Sequence, residues 1–369
     1  MLKSTTCLLL VAAALIVSSA NGIADTPVPV PVQPRDTLTG ITREDLEPCY
    51  NEMMKGNYFA ALELANKLVK KFPDDSNALN QRARVYAMMG DYLNAIADED
   101  RAIELQPKFH LWHQMRGYFY LNHGDFDLAF ENFAKAVELN PKDTLSMIQQ
   151  GECRRWQGRD TDALKFFEKV VKVQPKSFQA RVLESSAYYH LGDYKKARQL
   201  GQKMLLDFGS CADANFFVAT YQRDKGDHAK AIESYDEELK ICEDNVDALI
   251  GRADCRARSG DKEGARADLA KALDFTSLTL TSKQWRGWSP FRLARIFCVR
   301  STTYGDGDSE EWKALDDVTT SFQLLTKAIN CSFRGFNLLR HDHDFDAIRE
   351  DSRWDGVMAL VKEIEKSEQ

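Results

Sequence analysis

The chain is poor in the features that usually announce chemistry. Its 369 residues contain no Gly-x-Ser-x-Gly, no Walker-type phosphate loop and no His-Glu-x-x-His. The local signatures of a serine hydrolase, a nucleotide hydrolase and a zinc peptidase are therefore missing. Gly305-x-Gly307 is the nearest thing to a glycine-rich loop, and it lacks both a third glycine and a preceding strand. Neither sign of charge dominates: 49 Lys and Arg stand against 56 Asp and Glu, a net charge of −7. A sequence-independent nucleic-acid binder would be basic, so that class is set aside. Beyond residue 17 no apolar run is long enough to cross a bilayer. Proline is scarce, 10 in all, and its placement is regular.

What the chain does have is a period. Gly56, Gly90, Gly124, Gly158, Gly192, Gly226 and Gly260 recur every 34 residues without a slip in register. Ala61, Ala95, Ala129, Ala163, Ala197, Ala231 and Ala265 follow them, each five residues on. Small residues also stand seven before each glycine, at Cys49, Ala83, Gly117, Gly151, Ser185, Ala219 and Ala253. Each ladder has a mechanical reading. The glycine ends a helix where positive φ is needed. Asp91, Asp125, Asp193, Asp227 and Asp261 then suit the N-cap of a second helix. The alanine marks the closest approach of the two helices. Pro73, Pro107, Pro141 and Pro175 stop the second helix and open the next unit. Such an array has no central core, because each hairpin buries its apolar face on its neighbours.

These ladders resemble the tetratricopeptide repeat (TPR), a helix-turn-helix module, over residues 42–279. The resemblance implies an all-α fold, a right-handed superhelical α-solenoid of antiparallel helix pairs. There are departures. Repeats five to seven carry Gly209, Glu243 and Ser277 in place of the closing proline, and Arg82, Arg116 and Arg252 stand where the family often has leucine. Pro48 lies inside the first helix of repeat one, which predicts a late start or a kink there. Phe126, Phe130 and Phe133 share one face of a helix in repeat three and read as core.

The ends read differently. Lys3, the apolar run over residues 8–17 and the small residues Ser18, Ala20 and Gly22 form a secretory signal pattern. Residues 1–22 are thus expected to direct export, to the periplasm or the exterior, and residues 23–41 to form a Pro-rich linker. Residues 280–369 are expected to hold an irregular hairpin, with Asp308 and Glu311 as a capping box, and a last helix that caps the array. Within them Phe333-Arg334-Gly335-Phe336, Asp342-His343-Asp344-Phe345-Asp346 and Asp351-Ser352-Arg353-Trp354 resemble the closing segment of bacterial TPR proteins, with His343, Ala347 and Ser352 in place of its prolines. That resemblance implies a structural cap without activity.

Two further patterns bear on function. His341 to Asp346 gathers two histidines and three carboxylates, and the bland reading, acidic residues of the end cap, outweighs a metal site. Seven cysteines follow the signal pattern; Cys211 and Cys242 flank one helix pair at neighbouring ends and form a candidate disulfide. In the TPR family the first helices face a concave groove that binds extended peptides. Mapped residue by residue, the resemblance places Asn80, Arg84, Gln114, Tyr118, Asn122, Arg155, Trp156 and Tyr189 there. Amides suited to a peptide backbone would then sit beside aromatic and arginine anchors. The Lys and Asn pair by which chaperone-binding members hold a terminal carboxylate is absent, as is a His-Pro-Asp J-domain motif.

The expectation is an exported, non-enzymatic scaffold without a cofactor, binding a protein or extended peptide in its groove, with no nucleic-acid partner and no membrane span after signal removal. A glycan receptor using the same aromatics is the alternative from another class, and a metal-dependent enzyme at His341 to Asp346 is the third.

Overall fold

A computed structural model describes residues 41–278, 288–304, 308–331 and 333–367. The signal pattern, nearly all of the Pro-rich linker and the Gly305–Gly307 turn lie outside the described residues, as do the side chains of the Asp308 and Glu311 capping box. Among the described residues the chain is a helical repeat array without strands. It divides into two compact units, residues 1–154 and 155–369.

In the first unit the helices are α1 (Arg43–Met54), α2 (Tyr58–Lys71), α3 (Ser76–Met88), α4 (Tyr92–Leu105), α5 (His110–His123), α6 (Phe126–Leu139) and most of α7 (Thr144–Trp156). Helix α1 starts at once despite Pro48, because Thr42 and Asp45 make a reciprocal capping box. The second unit continues with α8 (Asp160–Val173), α9 (Phe178–His190), α10 (Tyr194–Phe208), α11 (Ala214–Asp224), α12 (His228–Ile241), α13 (Val246–Arg258) and α14 (Lys262–Leu278). Then come α15 (Trp288–Ser301), α16 (Asp308–Asn330), the short α17 (Phe336–His341), a 3-10 turn over His343–Ile348 and α18 (Ser352–Ser367).

The ladders do what their chemistry requires. All seven repeat glycines have positive φ. Asp91, Asp193, Asp227 and Asp261 each accept a backbone N–H three residues on, capping the second helix. Asp125 instead turns its carboxylate to the His123 ring at 2.7 Å. The seven alanines are at most 1% exposed. At Gly117 a Cβ would lie 2.9 Å from the Phe133 ring, so the small residue there is a matter of space. Phe133 is fully buried, whereas Phe126 and Phe130 stay half-buried, with the Arg154 guanidinium 3.8 Å above the Phe130 ring.

The arginines that replace leucine form a second, polar ladder. Arg82, Arg116 and Arg252 each reach sixteen residues forward to the second helix of their own hairpin and sixteen back to the second helix of the preceding one. Arg82 donates to both Asp98 oxygens at 2.8 and 2.7 Å and to Asn66 Oδ1 at 3.3 Å. Arg116 donates to Asn132 at 2.7 Å and Asp100 at 2.5 Å. Arg252 clamps Asp268 at 2.9 and 2.5 Å and Asp236 at 2.6 Å. One planar fork thus pins three helices where leucine would give only contact area. Arg300 repeats the motif on Asp317 with two 2.7 Å bonds between α15 and α16.

Candidate functional site

Within the second unit, residues 333–349 do not simply close the end of the array. They run back along the C-terminal ends of the first helices, the face that the family resemblance makes the groove. The contacts follow repeat order. A Cβ on Gly158, just past α7, would fall on the Arg334 carbonyl, 2.8 Å from its carbon. A Cβ on Gly192, just past α9, would lie 2.9 Å from the His341 ring. The same glycine in the other five repeats has nothing within 4 Å. Tyr194 donates its hydroxyl to the His341 carbonyl at 2.9 Å. His343 lies 3.4 Å from Asp224 at the end of α11, and Arg258 at the end of α13 donates to Asp346 at 3.1 Å. This segment, the strap, therefore passes repeats four, five, six and seven in turn.

Its centre is a buried ion network. Asp344 accepts from Arg223 Nη1 at 2.7 Å and from Arg295 Nε at 2.6 Å. Asp342 lies 3.6 Å from Arg223 Nη2 and 2.9 Å from Arg295 Nε. Arg223 comes from α11 and Arg295 from α15, so the strap carboxylates join two elements far apart in sequence. Arg295 also bonds Asp247, which Arg292 holds at 3.0 Å. Buried charges are tolerated only when paired, and here Arg223 and Arg295 each have two or more carboxylates around them. The two strap aspartates differ in acidity. Burial raises Asp342 to about 6, with the Asp344 charge beside it adding to the effect. Burial would raise Asp344 as well, but Arg295 and Arg223 outweigh it and hold the group below its ordinary value.

Apolar packing fixes the same segment. Phe291 stacks on Phe333 with centroids 4.2 Å apart and lies 5.5 Å from Phe345, which meets Trp354 of α18 at 5.9 Å. These rings share one buried cluster with Tyr189, Tyr194, Phe216 and Tyr235 of the repeats. Arg349 locks the bend by donating to the Arg340 and Asp342 carbonyls at 2.7 and 2.6 Å. His341 to Asp346, the stretch with metal-ligand types, is thereby committed. Asp342 and Asp344 hold arginines, and His343 sits between Asp224 and Asp346 at 3.4 and 3.2 Å.

Of the eight residues expected to line a groove, Asn80, Arg84, Gln114 and Tyr189 are buried, and Tyr118, Asn122, Arg155 and Trp156 are half-buried. In the first unit Asn80 is buried and donates to Glu99, and Arg84 is buried beside Gln81 at 3.3 Å. Gln114 donates to Asp143 and Ser146 of the next repeat, both at 3.0 Å. Half-buried Tyr118 meets Phe133 edge-on at 5.2 Å, and Asn122 donates to the Tyr118 carbonyl at 2.8 Å. In the second unit Arg155 lies 5.4 Å over Trp156, both half-buried. Tyr189 is 4% exposed and packs on Tyr194 and Phe216, so it belongs to the cluster beneath the strap. No disulfide joins Cys211 and Cys242. The Cys242 thiol donates to Asp244 at 3.0 Å, and burial together with that carboxylate pushes it up to about 12. The expected disulfide is thus not formed in this structure, where the Cys242 thiol is turned to a carboxylate.

Glu99 was not singled out in the sequence. It stands where Phe133, Phe167, Tyr235 and Leu269 stand in later repeats, and it is fully buried with Oε2 unpartnered. Burial raises its pKa to about 8, despite the Asn80 bond. The signal was available as a lone carboxylate in an apolar register position.

Paired antiparallel helices stacked at a fixed period, each pair packed on its neighbours, define a helical-hairpin repeat protein. Two models described as tetratricopeptide repeat match, one over residues 52–108, 157–210 and 219–277, the other over 113–143. Together they take in more than half of the chain, which belongs to the tetratricopeptide repeat family. Among solved structures, a tetratricopeptide repeat protein from Parabacteroides merdae superposes with a TM-score of 0.54 at 18% identity, covering 64% of this chain and 96% of its own. The C-terminal part of a TPR repeat-containing protein from Cytophaga hutchinsonii gives 0.48 at 20%, covering 64% and 95%. The Pseudomonas aeruginosa protein pilF gives 0.43 at 14%, covering 66% and 95%. At these identities the first likeness is one of fold. No curated protein matches the chain. Among the described residues no helix is long and apolar enough to cross a membrane.

Proposed function

We propose that the protein is a non-enzymatic scaffold that binds another polypeptide along the first-helix face of its repeats, outside the cytoplasm. The observation that carries this reading is the strap: the second unit holds a non-repeat segment of chain along its first-helix ends by ion pairs to its side chains and a hydrogen bond from Tyr194 to its backbone, the chemistry of peptide capture. The titratable groups that the sequence offered for catalysis at His341 to Asp346 serve as ion-pair partners, which favours a scaffold over an enzyme. The family's fold points the same way at the level of class.

Affinity capture from the native compartment tests the reading. One bait is the unaltered chain, and a second carries Tyr118→Ala and Asn122→Ala, two half-buried positions of that face in the first unit. Tyr189 is left alone because it is core. A protein partner lost only with the second bait supports the proposal. The same partners on both baits would move the site to another face, and capture of glycan without protein would replace the reading. Export is tested separately, by N-terminal sequencing of the protein recovered from its compartment; a chain retaining residues 1–22 in the cytoplasm would refute it.

A further inference from the structure

The strap has the properties of a ligand, not only of an end piece. It touches the first-helix ends in repeat order, from Gly158 to Arg258. Two of the seven repeat glycines, Gly158 and Gly192, lie under it with no room for a Cβ, while the other five face open space. Its two central aspartates meet arginines that are themselves buried, Arg223 and Arg295, and Phe345 beside them is fully buried. Deprived of the strap, this arginine pair would keep only Asp247 beside Arg295 and Asp254 4.0 Å from Arg223, and would lose the carboxylates that bond them most closely from the strap side. Carboxylates two residues apart with a following aromatic are what the face is built to take.

We infer that residues 333–349 are the resident ligand of the second unit: they close its first-helix face to polypeptides in trans, and that face accepts acidic segments of the form Asp-x-Asp-Phe. External polypeptide is then taken by the first unit. The inference rests on the reading of the protein as a polypeptide-binding scaffold, but its test is separate from partner capture.

The probe is a fluorescent synthetic peptide of residues 342–349, which lacks Arg334 and His341 and so meets neither substituted glycine, titrated into the full chain by polarisation. The wedge variant is Gly158→Asn with Gly192→Asn. The control is Gly124→Asn with Gly226→Asn, which imposes the same positive-φ backbone on asparagine with nothing nearby to displace. The wedge variant takes up the peptide at least about tenfold more tightly than the unaltered chain or the control. A peptide with Asp342→Asn and Asp344→Asn loses that gain. Equal uptake by all three chains overturns the inference, because the face would then be open. So does a wedge variant that keeps its helical circular dichroism and binds nothing. Should the wedge variant not fold, hydrogen exchange on the unaltered chain decides. Strap amides such as Asp342 and Phe345 exchange together with α11 and α13 if the face is closed, and exchange orders of magnitude faster than α11 if it is not. Failure to capture any polypeptide partner would bear on the proposed function alone.

Discussion

Consider replacing Gly158 by asparagine. The residue has φ +72, a conformation that asparagine tolerates better than other L residues. Adopting it costs about 1 kcal/mol. The second cost is specific to this site. The new Cβ would lie 2.8 Å from the Arg334 carbonyl carbon and 3.1 Å from the Arg334 Cβ. Carbon atoms settle about 3.5–4.0 Å apart, so the strap must retreat by roughly 1 Å. A backbone carbonyl cannot swing aside as a side-chain tip can, and overpacking of this sort costs about 1–3 kcal/mol. Gly226 provides the reference: its φ is +74 and nothing lies within 4 Å. Gly192 is intermediate, since the obstacle there is the His341 ring, a side chain. Urea denaturation should therefore rank the destabilisation Gly158→Asn above Gly192→Asn above Gly226→Asn, with about 1–3 kcal/mol between the extremes. Because repeat arrays need not unfold in one step, strap amide exchange is read alongside the midpoint. Equal destabilisation by Gly158→Asn and Gly226→Asn, within about 0.5 kcal/mol, would refute the placement of the strap on repeat four.

Three other outcomes follow from the same geometry. Arg252→Leu leaves Asp268 with Arg256 alone and Asp236 unpaired, and should cost about 2–3 kcal/mol, whereas Arg252→Leu with Asp268→Leu recovers much of it; a double-mutant cycle in urea giving a coupling near zero would dismiss the clamp. Glu99 has a folded pKa raised to about 8, so the native state binds the proton more tightly, and stability falls as pH rises from about 4.5 towards 8; Glu99→Leu should remove that slope and raise the melting temperature at pH 8 more than at pH 5, and an equal effect at both values would contradict a buried neutral acid. The strap aspartates should respond unequally at pH 7. Asp342→Asn is the milder change because burial already disfavours its charge, while Asp344→Asn gives up the bonds to Arg223 and Arg295. Stability carried by Asp344, whose pKa is lowered, is present above pH 4 and lost as pH falls below it, so Asp344→Asn should also flatten acid unfolding monitored by circular dichroism; equal destabilisation at pH 7 would reverse the assignment.

The sequence by itself determined the array. A strict 34-residue period with glycine, alanine and a small residue in fixed register leaves few ways for a chain to fold, because each small residue answers a local demand: positive φ, close helix approach, or the space beside a ring such as Phe133. Those demands are met within one hairpin or between neighbours, so they can be read along the chain. The arginine ladder was half legible. Arg82, Arg116 and Arg252 were visible as departures from leucine, and their acceptors sixteen residues to either side make sense only once the second helices of two hairpins are seen to meet at one guanidinium.

Tertiary structure alone decided where the C-terminal segment goes. Asp342-His343-Asp344 carries no mark of its partners, because Arg223 and Arg295 lie 121 and 49 residues before Asp344. Long-range pairing of buried charge is a property of the assembled unit: each group is tolerable only with the others in place, so no local pattern betrays it. The same holds for Tyr189, whose register position suggested an open groove and whose ring lies under the strap, and for the thiols of Cys211 and Cys242, whose places on one helix pair did not fix where they point. Period and register specify a hairpin and its neighbours; what covers the face they present depends on a segment that follows no period at all.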